Sequence, residues 1–190
     1  MKKLVFATKN KNKLAEVSKI LKDTGVEICG VEGEFDPEET GNTFEENAYI
    51  KAFEAAKKMS LPAFGDDSGL VVDALGGRPG VYSSRYAEND EKRIAKLLEE
   101  LKDVPQEKRT ARFMCAMVVV NPKGEKLFSC VGTCEGIIAD VPKGSGGFGY
   151  DPVFFLPEKN STMSELSMDE KNTVSHRGNA LKKIIEWLQG

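Results

Sequence analysis

A chain of 190 residues, 40% hydrophobic and 30% charged, is long enough to bury a core without disulfides or a structural metal and too apolar to stay disordered. Its formal net charge of -3 carries no basic surplus, which argues against a general nucleic-acid binder and confines phosphate recognition to a local site. No apolar run reaches the length of a signal peptide or a membrane span, so one domain over residues 1–190 is expected in the cytoplasm, with no membrane or nucleic-acid partner.

In chain order, Leu4 to Thr8 is a short apolar β-type run, followed by the polar stretch Lys9 to Lys13 and by helical spacing at Leu14, Val17, Ile20 and Leu21. Thr43 with Glu46 three residues on is a capping-box signature. It predicts a helix through Ala48, Ala52, Ala55 and Ala56 to Met59, ended by Leu61-Pro62. From Ala63 to Ala74 two strands are expected around an acidic turn, Asp66-Asp67-Ser68-Gly69, before the breaker cluster Gly76 to Gly80. Asn89 to Leu101 reads as an exposed helix and Ala111 to Val120 as a buried strand. Asn121-Pro122-Lys123-Gly124 turns that strand into a second one, Leu127 to Cys134. Gly144 to Gly149 precedes a further strand, Val153 to Leu156, then a long polar loop. Ser175 is placed to cap a closing helix with Ala180, Ile184, Ile185 and Leu188 on its apolar face. This order predicts an α/β fold with a mixed central sheet flanked by helices, divided into two lobes around a cleft. Cys29, Cys115, Cys130 and Cys134 match neither a zinc knuckle nor a Cys-x-x-Cys pair and are read as reduced structural thiols.

Six segments carry candidate chemistry. The loop Thr8, Lys9, Asn10, Lys11, Asn12 and Lys13 lies where a strand hands over to a helix, so free N–H groups and the positive end of the helix dipole meet added lysines. It suits phosphate, although it lacks the Walker glycines, and a solvated basic turn is the plainer alternative. Asp66-Asp67 sits at a sheet edge, where one carboxylate could hold a metal; adjacent strand residues point to opposite faces, so both need not enter one site. Asp36-Pro37-Glu38-Glu39 supplies a second acidic source, and magnesium commonly takes one or two protein carboxylates plus substrate phosphates. Lys51, on the capped helix, reads on its own as a surface lysine. Lys171 and Ser175-His176-Arg177 put cations at a helix start, against the dipole, which an anion or a base ligand would explain. Gly146 to Asp151 joins glycines that permit close backbone approach to aromatics able to stack on a nucleobase.

Together these segments resemble the inosine-triphosphatase-like family of non-standard purine nucleoside triphosphate pyrophosphatases, nearly end to end. The family's Thr-x-Asn-x-x-Lys stands as Thr8, Asn10 and Lys13, and its Asp-Asp-Ser-Gly-Leu as Asp66 to Leu70. Leu75 to Gly80, Gly146 to Pro152 and Ser175 to Arg177 follow in the family's order. The resemblance implies hydrolysis of ITP, dITP or XTP to the monophosphate and pyrophosphate, with Mg2+ as cofactor, by a two-lobed homodimer with its site in the cleft. It implies that Thr8, Asn10, Lys13, Lys51 and Lys171 hold the triphosphate and that Ser68 touches the substrate. Asp67 would be general base or metal ligand, with Glu38 rather than Glu39 taken as the second carboxylate. Phe148, Gly149, Tyr150 and Asp151, with His176 and Arg177, would line a pocket that prefers a 6-oxo purine.

Overall fold

The computed structural model of the protein describes residues 2–190, except for the side chains at positions 12 and 16. Among these residues seven strands form one sheet in the order β2-β1-β3-β4-β5-β6-β7. They are β1 (Lys3–Phe6), β2 (Glu27–Gly30), β3 (Ala63–Val72), β4 (Thr110–Val120), β5 (Lys126–Ile138), β6 (Phe154–Leu156) and β7 (Ser161–Thr162). Five helices accompany them: α1 (Lys11–Leu21), α2 (Phe44–Met59), α3 (Asp90–Glu100), α4 (Met168–Val174) and α5 (His176–Gln189). β1 runs parallel to β2 and to β3, whereas β6 pairs antiparallel with β5 and β7, so the sheet is mixed. The chain forms two compact units, and β3, β4, β5 and α5 each pass from one into the other.

The first unit comprises Met1–Asp67, Cys115–Gly132 and Asn179–Gly190. β1, the start of β3 and the second half of β4 are apolar on both faces, as strands covered by helices on both sides are. Leu4, Phe6, Phe64, Cys115, Met117 and Val119 pack with Val17 and Leu21 of α1 and Ala180, Leu181 and Ile184 of α5. The alternate residues Val5, Ala7, Ala63, Ala116, Val118 and Val120 pack instead with Ala48, Ala52, Ala55 and Ala56 of α2. This two-residue alternation sends Phe64 of β3 to the first helix layer and Ala63 to the second. The expected capping box is present: Thr43 Oγ1 accepts from Glu46 N at 3.1 Å while Glu46 Oε2 accepts from Thr43 N at 3.2 Å. Ser60 in the left-handed conformation, φ 51°, ends the helix just before Leu61-Pro62.

The second unit comprises Ser68–Met114 and Thr133–Gly178. Its core gathers Leu70 and Val72 of β3, Ile94 and Leu97 of α3, Phe113 of β4, Ile138 of β5, and Tyr150, Val153 and Phe154. Asn89 caps α3 by accepting from Lys92 N at 2.9 Å, and the helix turns Ile94 and Leu97 inward at a spacing of three.

Two expectations are corrected. Ala63 to Ala74 does not form two strands about an acidic turn; β3 runs unbroken from Ala63 to Val72, straight through Asp66 and Asp67. Lysines reach both carboxylates from neighbouring elements, so their low strand propensity is overridden by tertiary partners. The polar loop after Leu156 contains α4, which buries none of its residues and therefore shows no apolar period, although Ser167 and Glu170 form its capping box. β2 was not foreseen: four residues, Glu27 to Gly30, are too few to display alternation.

Candidate functional site

In the first unit, β1 delivers the chain through Ala7, whose N–H donates to Phe64 O at 2.8 Å, to the loop before α1. Thr8 Oγ1 accepts from Asn10 N at 3.1 Å, and Asn10 Oδ1 accepts from Lys13 N at 3.2 Å, so the side chain of Asn10 caps the helix. The first turn of α1 holds no acidic residue, so no carboxylate of that turn offsets the positive end of its dipole. Lys9 and Lys11 are exposed beside it, and the side chain of Asn12 lies outside the described residues.

Strand alternation then divides the two aspartates. Asp66 shares the face of Phe64, on the side of α1, and Lys13 Nζ reaches its Oδ2 at 3.3 Å. Asp67 shares the face of Ala63 and Gly65, on the side of α2. There Asn47 Nδ2 donates to Asp67 Oδ2 at 3.0 Å, and Lys51 Nζ stands 3.8 Å from Oδ1. Asn47 and Lys51 are one helical turn apart and therefore share a face of α2. The helix approaches this closely because residue 65 is glycine: a Cβ there would lie 2.3 Å from Ala48 O and 2.9 Å from Ala52 N.

Lys51 is mostly buried and also pairs with Glu39 Oε1 at 2.9 Å. Burial lowers its pKa, but the carboxylates of Asp66, Asp67 and Glu39 outweigh that, and the ammonium is held above the ordinary lysine value. The carboxylate that joins Asp67 here is Glu39. Glu38 instead lines a separate pocket with Phe35, Pro37, Ile50, Glu54 and Lys58. Neighbouring residues of an extended loop point in different directions, and no period in the sequence says which turns inward. Asn47, fully buried, was also not singled out; its Oδ1 accepts from Gly41 N at 2.8 Å, so it ties the acidic loop to α2 as well as orienting Asp67. Its spacing of four from Lys51 on a capped helix was the available signal.

As a cation site this cluster offers two hard carboxylates, Asp67 and Glu39, converging on one ammonium. No group of three or more His, Cys, Asp or Glu forms a metal cage among the described residues. Two carboxylates completed by phosphate oxygens and water is the pattern magnesium favours, so the residues fit that ion.

The second unit holds Ser68 and the remaining predicted residues. Gly147, at φ 77°, and Gly149, at φ 63°, fold residues 146–151 into a tight turn. A Cβ on Gly147 would lie 2.1 Å from Asp151 Oδ2. That buried carboxylate accepts from Phe148 N at 2.9 Å and from Lys171 Nζ at 2.5 Å. The Phe148 ring, 63% exposed, lies 4.8 Å from the same ammonium, a cation–π arrangement. Lys171 is thus gathered with the aromatic turn. Tyr150 points the other way, into the core, where its hydroxyl donates to Ser83 O at 2.8 Å. Burial, with Tyr86 and Asp90 nearby and against the opposing pull of Arg93, raises its pKa strongly, so it is a neutral anchor. His176 stacks on Phe113 with centroids 4.9 Å apart, and Arg177 is buried beside it in sequence. Ser175 Oγ accepts from Gly178 N at 3.1 Å and so caps the start of α5 as expected. The phosphate-type residues thus lie in the first unit, except Lys171, and the aromatic and C-terminal ones in the second.

Comparison with known proteins places this chain. The Ham1 family profile matches residues 4–187. The dITP/XTP pyrophosphatase of Geobacillus kaustophilus is 52% identical over 192 residues, covering 98% of this chain and 94% of that protein. The Escherichia coli K12 protein of the same name is 47% identical, covering 100% and 99%. A solved HAM1 protein from Coxiella burnetii superposes with a TM-score of 0.91 at 43% identity, covering 99% and 98% of the two chains. A Mycobacterium abscessus structure titled nucleoside-triphosphatase / dITP/XTP pyrophosphatase gives a TM-score of 0.81 at 42% identity, covering 98% and 99%. With matches spanning almost its whole length in both sequence and structure, the chain belongs to the Ham1 family.

Proposed function

We propose that this chain hydrolyses non-standard purine nucleoside triphosphates, ITP, dITP and XTP, to the nucleoside monophosphate and pyrophosphate. The observation that carries the reading is the convergence of Asp67 and Glu39 on Lys51, in the same unit as a lysine-flanked helix start without acidic residues. Relatives at 52% and 47% identity bear the name dITP/XTP pyrophosphatase.

In this reading Thr8, Asn10, Lys13 and the N–H groups opening α1 bind triphosphate oxygens, with Lys51 and Lys171 adding charge. Asp67 orients or deprotonates the water that attacks the α-phosphorus, and pyrophosphate leaves. Asn47 holds one oxygen of Asp67 and so fixes its plane. Asp67 and Glu39 hold a divalent cation, magnesium by the hardness of its donors, which when bound offsets charge on the phosphate oxygens. The Phe148 face stacks on the purine. His176 or Arg177 supplies a donor to the 6-oxo group, a donor that the 6-amino group of adenine would leave unsatisfied. Ser68 completes the contacts. The proposal extends to a cytoplasmic homodimer, checked by the mass of the purified protein in light scattering. No helix among the described residues is long and apolar enough to cross a membrane.

The test is product analysis with magnesium and ITP or XTP beside ATP, measuring orthophosphate with and without added inorganic pyrophosphatase. Orthophosphate should appear only with the coupling enzyme and only for the 6-oxo purines. Direct release of orthophosphate would make the protein a phosphatase, and no turnover would make it a binding protein.

A further inference from the structure

The turn at residues 146–151 presents two consecutive N–H groups, of Phe148 and Gly149, and each donates to a different carboxylate. Phe148 N meets Asp151, inside the turn. Gly149 N meets Asp90 Oδ2 at 2.7 Å, and Asp90 is the first residue of α3, 59 positions away in sequence. The other oxygen of Asp90 is held by Arg93 Nη1 at 2.6 Å, and Arg93 Nε in turn donates to Ala87 O at 3.1 Å. The carboxylate is therefore fixed in orientation rather than free to rotate. With Tyr150 anchored on Ser83 O, the backbone on either side of Phe148 is tied to α3, to the 3-10 segment Gly80–Arg85 and to the turn itself. Phe148, the large side chain left exposed, is presented by a backbone that these bonds hold in place.

We propose that Asp90 is a positioning residue for purine recognition: through Gly149 N it fixes the turn that presents Phe148 to the base. It touches no reacting atom. The inference rests on the reading of this turn as the base-binding element, and it predicts a much larger effect on the base than on the triphosphate, of whose proposed ligands only Lys171 is tied to the turn. Asp90→Asn keeps one acceptor of the same reach for Gly149 N while giving up the pair with Arg93, so it is the milder variant and Asp90→Ala the disruptive one.

The experiment measures KM and kcat for ITP and the inhibition constant of inorganic tripolyphosphate, which carries phosphates but no base. Asp90→Ala should raise KM for ITP about tenfold, the loss expected for one hydrogen bond to a charged group. In the same variant kcat and the tripolyphosphate constant should stay within about twofold, and Asp90→Asn should return KM to within about threefold of the parent. Glu91→Ala removes the neighbouring exposed carboxylate from the same helix turn, controls for the change in helix charge and should leave KM unchanged. An equal rise in the ITP and tripolyphosphate constants, a fall in KM, or an Asn variant as impaired as the Ala variant would overturn the proposal. A failure of the functional reading itself would show already in the parent protein, as absent ITP turnover.

Discussion

The β3–α2 cluster and the turn at residues 146–151 solve the problem of holding polar groups still in opposite ways. In the first, charged side chains project from the middle of regular elements, and rigidity comes from packing: four alanines and Gly65 seat the helix directly on the strand. In the second, the backbone does the holding, through glycines at positive φ and N–H groups fixed by Asp151 and Asp90. A site of the first kind should fail sharply when one charge or one close contact changes. One of the second kind should lose selectivity before it loses turnover.

The largest effect is expected at Asp67. Asp67→Asn should lower kcat by about 10²–10⁴, the range of a lost general base, while the melting temperature moves by no more than about 4 °C; near-normal turnover would remove Asp67 from the chemistry. Gly65→Ala comes next, because its new Cβ would lie 2.3 Å from Ala48 O and push α2 away from β3. It should cost about 1–3 kcal/mol of stability in denaturant unfolding and impair turnover as well, since Asn47 and Lys51 move with the helix. Lys13→Ala should weaken binding of any triphosphate by about 1.5–3 kcal/mol whatever the base, seen as a raised KM for ITP and a raised inhibition constant for tripolyphosphate alike. Arg177→Ala, in the second unit, should instead erode the preference for ITP over ATP, by about tenfold if it contributes one charged hydrogen bond; an equal fall for both substrates would make it a phosphate ligand.

The smallest effect compares the two units through their thiols. Burial pushes Cys130, in the first unit, and Cys134, in the second, up to about 11 against the slight downward pull of Lys183 on Cys130 and with added acidic neighbours around Cys134. Both should therefore react slowly with iodoacetamide at pH 8 in the native protein and faster as pH rises toward that value, since the thiolate is the nucleophile. Unfolding returns them toward the ordinary thiol value and removes the protection. Fast native alkylation of one thiol alone would show that its unit opens locally.

The same contrast explains what could be read in advance. The capped α2, its alanine face and the polar start of α1 were legible because helix signals are local and periodic. The motif order also located the aspartates, but their opposite facing follows from β3 being one strand, which composition around Asp66-Asp67 argues against. Glu39 could not be told from Glu38 because the loop before α2 has no period; in the structure it is Glu39 that pairs with Lys51. Tyr150 looked like a pocket aromatic, yet its ring fills the core, since a tyrosine can be buried wherever its hydroxyl finds an acceptor such as Ser83 O. Asp90 was invisible because a carboxylate in the first turn of a helix is explained well enough by the helix dipole.

The interleaving of the two units makes the first depend on a segment that is synthesised after all of the second. Every segment of the second unit has been made once residue 178 is in place, whereas the core of the first still lacks Ala180, Leu181 and Ile184. Until α5 is in place, the hydrophobic face under Phe6 and Phe64 is therefore uncovered. Shortening the chain within α5 should leave that face open and expose the nascent protein to aggregation, even though the residues removed touch no substrate.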